Sequence, residues 1–492
     1  MRLAVAAAIT LWLAPVFAVG VHVFWPSAAG SIAIGLVLGA GVAAMTAGGM
    51  TETIGPAFRD RLVVAIVVAA ALAAIGQMAW ISVYMADPSK GTHSYYPSDP
   101  FRVRHSCMTA YVEAIRFCHE PGTNIYRMDL YEPRQIGPLK VDSFHYPPPF
   151  LLLPASVDAF ARDVFAFRSL WFVMQCLVLA GAIFGIARWI GGEPGALAAA
   201  GGVLAFATPQ FLFALQQGNV QSTAVSVAAV AFVLLWRGRH AIGAPLLAYV
   251  AAAKIFPGIL VVHLAAARRW KALAATALAG AAVLALTLVA IGAQPFRDFV
   301  GGELPRISSG EAFPHTETFA YGANFSVYGI TVRWRKLGLD WLTRPRGLAI
   351  ASAYGAGVIL AAFALGWRRR PDLETAHGRL RLVQCGLALV VLAAMRSPFM
   401  PGYGLVGPLW LFTLLAAERT ARRGVLVAWV AIAGVAALHA WLPSPALVPQ
   451  PAEMAAADLL TVILIAACAV TLAREWRTAR QVPKAGLMSA VS

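Results

Sequence analysis

The sequence predicts an all-α polytopic membrane protein, and three observations carry that prediction. Of 492 residues, 59% are hydrophobic and only 13% are charged, whereas soluble domains are roughly a quarter charged. Mean hydropathy is correspondingly high, at +0.70. Apolar runs long enough to cross a bilayer recur along the whole chain. The net charge of +16 gathers in short clusters between those runs, as expected for basic loops retained on the cytoplasmic side. Such clustering points to membrane lipids as surroundings and argues against a nucleic-acid partner.

Twelve full spans are expected, at 3–24, 29–49, 61–85, 164–188, 195–214, 220–236, 270–293, 347–367, 380–396, 403–417, 424–442 and 455–473. The run after Arg2 reads as a retained span rather than a cleaved leader, because a second apolar run follows at once. With the N-terminus inside, twelve crossings put Arg59 and Arg61, Arg188, "RGRH" (237–240), "RRWK" (268–271), "RRR" (368–370), "ERTARR" (418–423) and "REWRTAR" in the cytoplasm. Both termini then lie there too. Four regions follow: two N-terminal spans in 1–60, a central module in 61–293, a second outer loop in 294–346, and C-terminal spans with a tail in 347–492.

One segment does not read as a simple crossing. Residues 241–266 are bracketed by basic clusters, so both ends belong on the same side. They contain "AAAKIFPG", with Lys254 inside an apolar run three residues before Pro257. Proline disfavours helix at and just before itself, which predicts two half-length helices that enter the membrane and return around "KIFP". A charge at that depth has a partner or a task. The competing reading is a long tilted span in which Lys254 snorkels or pairs with a carboxylate.

Two long polar segments are assigned to the outer face, 86–163 and 294–346. The first holds "HSCMTAYVEAIRFCHE" with helical periodicity, and three prolines at 147–149 that predict an extended stretch before the apolar piece 150–157. On a continuous helix Cys107 and Cys118 would stand about 16 Å apart, too far for a disulfide unless the segment bends. The second segment keeps Arg333, Arg335 and Lys336 on the outer side, which suggests an anionic partner or a solvated amphipathic helix. The "GGEPG" at 191–195 is no phosphate cradle, since no strand precedes it and no Gly-Lys-Ser follows.

Several pieces stand in a telling order: the Tyr-x-x-Ala helix at Tyr111, "NIY", "YPPPF", "LQQGNVQS", the run from "RGRH" through Lys254 and Pro257 to "RRWK", "GANFSVYGI" and "RSPFMPGYG". Over about 86–420 this series resembles glycosyltransferase family 87 of the membrane-embedded GT-C superfamily. The resemblance implies a GT-C fold with the 241–266 hairpin as a re-entrant broken pair. It also implies an enzyme of the bacterial inner membrane, with its active site facing the periplasm. Such an enzyme moves mannose or another hexose or pentose from a polyprenyl monophosphate to a lipid or glycan hydroxyl, with inversion. The donor is then the lipid-phosphate sugar itself, with no cofactor and no metal, and the protein is expected to be a monomer.

The departing lipid phosphate needs positive charge, and Lys254, Arg396 and His315, which fits the place of a family histidine in the later outer loop, are the expected ligands. The family's base is an acid, usually Asp, a few residues before the Tyr-x-x-Ala helix; here Cys107 stands four residues before Tyr111. Asp99, His105 and Glu113 are therefore the candidate bases. Tyr111, Tyr146, Gln217, Asn219 and Asn324 are the candidate sugar-binding residues, although "QQGN" also reads as an ordinary turn between spans. The reading from another class is a lipid or lipid-linked-sugar flippase, since transporters also bind at broken helices. The long outer segments, rich in acid, His and aromatics, favour the enzyme.

Overall fold

The computed structural model describes residues 2–55, 59–313, 324–368, 371–442 and 450–480. Among the described residues the chain is mostly helical, and the strands are those of a two-rung hairpin pairing Gln135–Ile136 with Leu139–Lys140. All twelve expected segments form helix. Among the described residues nine helices are long and apolar enough to cross a membrane, so the protein is an all-α multi-pass membrane protein. Local sequence sets their starts. Asp60 caps the helix Arg61–Ala86 by accepting from Leu62 N at 2.8 Å, and Asp163 caps Val164–Ile190 by accepting from Ala166 N at 2.8 Å.

The other three segments are shorter or broken. Val220–Trp236 has 17 residues, and the apolar helix Gly402–Ala416 is shorter still. Segment 195–214, expected as one span, is two helices, Gly192–Phe206 and Pro209–Gln217, bent by 66°. Pro209 causes the break: it disfavours helix at Thr208 and opens the second helix, with Thr208 as its cap.

The region around Lys254 is also interrupted. Helix His240–Lys254 ends at Ile255, a non-glycine residue at φ +58, and a 3-10 turn Phe256–Gly258 leads into Ile259–Ala266. The two ends of this segment meet. Arg269 Nη2 donates to Trp236 O at 2.9 Å, and its guanidinium lies 4.8 Å from the Trp236 ring centre. The chain therefore goes in from Trp236 and comes back to it, with Lys254 at the far end. Gly366 lets helix Arg344–Arg368 press on the returning limb, because a Cβ there would lie 2.3 Å from His263 O.

The long polar segments pack onto the bundle as a cap. Cys107–Cys118 is one continuous helix, and both cysteines are free, so no bend brings them together. After Pro147 the chain turns into the 3-10 helix Pro148–Leu151 rather than continuing extended, and then into helix Leu152–Asp158. The later segment runs through Gln294–Asp298, a π-helical turn Phe299–Glu303 and Leu304–Ser309, then Val327–Lys336. Arg333, expected to face an outside anion, is fully buried. Its Nε donates to Asp458 Oδ1 at 2.6 Å, and Trp334 Nε1 reaches the other oxygen at 3.0 Å. The anion it meets belongs to the protein itself, on helix Pro451–Arg480.

Candidate active site

A cavity of about 980 Å³ opens where the cap meets the bundle. Its floor includes the break after Lys254, and its walls come from the first polar segment, the start of helix Val220–Trp236, helix Arg344–Arg368 and the turn at 396–403. Apolar side chains such as Phe256, Ile259 and Ile359 line it together with charged and polar groups, His105, Asp142, Lys254, Asn219 and Arg396.

The "QQGN" turn builds the polar wall. Gly218 adopts φ +67, and a Cβ there would strike the Met108 side chain at 2.5 Å, so glycine is required on two counts. Asn219 then caps the following helix through its Oδ1, accepting from Gln221 N at 2.9 Å. Its amide is left to donate to Tyr146 Oη at 3.0 Å and Cys107 Sγ at 3.3 Å. Just before the turn, Gln216 Nε2 donates to Ser94 Oγ at 2.9 Å, and Gln217 Nε2 donates to Arg102 O at 3.0 Å. The turn is thus a bracket that docks the first polar segment onto the bundle.

Lys254 Nζ sits 4.3 Å from the centre of the Tyr146 ring, a cation–π contact. It has no carboxylate partner among the described residues, and neither has Arg396, an exposed residue on the cavity wall packed against Gly355. Tyr146 itself stacks on Phe150 at 4.5 Å and meets the Tyr111 hydroxyl at 3.3 Å. Burial pushes both phenols well above their ordinary range, so they stay protonated.

From Cys107 the polar wall continues. Cys107 Sγ is 3.7 Å from His105 Nε2, and the same nitrogen is 3.7 Å from Asp142 Oδ2. Thr109 locks this arrangement: its hydroxyl donates to Ser106 O at 2.8 Å and accepts from Asp142 N at 3.0 Å. Burial, with the Asp142 charge beside it, pushes the Cys107 thiol up.

The structure sorts the expected site residues. His105, Lys254, Arg396, Tyr146 and Asn219 share the cavity. Asp99 lies outside it, capping helix Pro100–Arg104 and pairing with Arg102 at 3.2 Å. Glu113 also lies outside, buried between Arg116 at 2.8 Å and Arg134 at 2.7 Å. Tyr111 is packed behind Tyr146, and Gln217 is spent on the bracket. Asn324 is buried and holds the 398–400 turn, donating to Pro398 O at 2.9 Å and accepting from Met400 N at 3.0 Å. His315 falls outside the described residues. Sequence reasoning passed over Asp142. Its only signal was a lone acid shortly before "FHYPPPF", with nothing to indicate that a strand rung would lay it against His105.

Fold and cavity together define a multi-pass membrane protein with a charged chamber between bundle and cap. Comparison with known families supplies its chemical class. The model for glycosyltransferase family 87 matches residues 144–398, just over half of the chain. The protein belongs to that family and is a GT-C-type membrane glycosyltransferase. The match takes in Tyr146, Asn219, Lys254 and Arg396 but starts after Asp142 and the Cys107 helix. No curated protein and no solved structure matches the chain.

Proposed function

We propose that the protein transfers a sugar, mannose or another hexose or pentose, from a polyprenyl monophosphate to a hydroxyl of a lipid-linked or glycan acceptor. The observation that carries this reading is the ammonium of Lys254, which has no carboxylate partner among the described residues, at a break in the bundle and on a chamber lined by both apolar and polar groups. Such a chamber suits a donor that is a lipid at one end and a phosphate at the other. Lys254 and Arg396 supply positive charge to the phosphate, and the low local dielectric strengthens it. The acceptor oxygen is activated at the His105–Asp142 wall. It bonds to the anomeric carbon as the bond to the phosphate oxygen breaks, its proton passes to Asp142, and polyprenyl phosphate leaves. A single displacement of this kind inverts the anomeric centre.

In this reading the capped face of the bundle is the outer one, with both termini in the cytoplasm of a bacterial cell. The basic clusters at the other end of the spans support that orientation. The test supplies purified protein with a panel of radiolabelled polyprenyl-phosphate sugars and a membrane lipid extract. Label appearing in a new lipid or glycan product is the expected result. Movement of intact donor between leaflets, with no product from any donor, would replace the transferase by a flippase.

A further inference from the structure

We infer that His105, Cys107 and Asp142 form a binding site for one zinc-class divalent cation, open to the cavity on its fourth side. The donor atoms Nε2, Sγ and a carboxylate oxygen all lie within 4.8 Å of one another. Two of the three separations, nitrogen to sulfur and nitrogen to oxygen, are 3.7 Å. With zinc–sulfur near 2.3 Å and zinc–nitrogen near 2.0 Å, a tetrahedral nitrogen–sulfur edge is about 3.6 Å. The three side chains therefore need to close by only tenths of an ångström along those edges. All three line the cavity, so the open position faces substrate, as in three-ligand catalytic zinc sites.

The surroundings fit a ligand set. The His105 ring is held flat against Phe101, at 5.2 Å and 11°. The Asn219 amide donates to Sγ at 3.3 Å, an outer bond that favours a thiolate. The Thr109 lock fixes Asp142 from a distance of 33 residues. Charge balance agrees: thiolate, carboxylate and neutral imidazole sum to the two negative charges that cancel a divalent cation, where a net charge would be costly to bury. The mixture of sulfur, imidazole and carboxylate favours zinc over magnesium or calcium. The family resemblance implied no metal. This chain differs in carrying a cysteine where the resemblance places the acid.

The binding claim rests on this geometry alone; only its use in transfer rests on the function proposed above. There, the acceptor hydroxyl takes the open position and the cation stabilises the alkoxide. Its proton passes to the carboxylate oxygen of Asp142 that does not touch the metal.

The probe is Co²⁺, titrated into the full-length protein in nanodiscs after treatment with a chelator. The expected result is about one tightly bound cobalt per chain, with tetrahedral visible bands and a sulfur-to-cobalt charge-transfer band. In Cys107→Ser the charge-transfer band disappears; in Asp142→Asn affinity falls at least tenfold. Gel filtration of each variant shows whether it is folded, and His105→Gln serves as a second weakened ligand. A cobalt spectrum without the sulfur band, or binding indifferent to all three substitutions, overturns the site. Sugar transfer by metal-free protein that added zinc leaves unchanged overturns the cation's use in transfer and keeps the transferase. The full cobalt spectrum in a protein that transfers no sugar upholds the site and removes the transferase.

Discussion

Replacing Lys254 by Met removes the charge and keeps most of the side-chain volume. At about 4 Å and an effective dielectric near 20, an ammonium–phosphate pair is worth about 4 kcal/mol. Part of that is already felt by the bound donor, whose phosphodiester carries one negative charge. The rest appears as the phosphate departs with a second. Losing one donor aimed at developing charge costs about 2.7–4 kcal/mol, or 10²–10³-fold in kcat. Stability moves the other way or hardly at all. The contact with Tyr146 at 4.3 Å, worth about 0.5–2 kcal/mol, is set against the desolvation of a cation that has no acid beside it among the described residues. The assay pairs initial rates of transfer from radiolabelled polyprenyl-phosphate sugar with thermal melts in the same detergent. Lys254→Met should lose 10²–10³-fold in kcat and melt within a few degrees of wild type, and Lys254→Arg should recover part of the rate. Transfer by Lys254→Met within twofold of wild type would refute the phosphate role. A large fall in melting temperature would show instead that the lysine is structural.

Three further predictions separate framework from chemistry. Glu113→Gln should cost about 1–2 kcal/mol in stability, because the two arginines it holds are half exposed and solvent screens the pairs; activity per folded molecule should be unchanged. Gly218→Ala should destabilise by about 1–3 kcal/mol through backbone strain and the clash with Met108, and kcat should fall as Asn219 shifts. Arg333→Met leaves Asp458 without its cation at a site where the carboxylate is only 12% exposed, so a loss of about 3–5 kcal/mol is expected in thermal melts.

The parts legible in the sequence were those governed by local rules. Apolar length marked every spanning helix, because a bilayer leaves the backbone few other ways to satisfy its hydrogen bonds. Pro257 marked the break beside Lys254, but Pro209 went unread. A proline at the first turn of a helix fits without strain, so the surrounding hydropathy hid the 66° bend. In the site, Lys254 stood out through its cost in an apolar run. Asp142 did not, because an acid in a polar segment costs nothing until its neighbours are known.

By itself, then, the amino-acid sequence determined that this is a helical membrane protein, that it resembles a glycosyltransferase family, and that residue 254 needs explaining. Only the tertiary structure decided which acids face the chamber. It turned Asp99 and Glu113 toward arginines, buried Arg333 on Asp458, and laid Asp142 against His105 through the Thr109 lock. The physical reason is range. Hydropathy and helix breaking act over a few residues and can be read along the chain, whereas charge pairing and ligand geometry act through space between residues far apart in sequence.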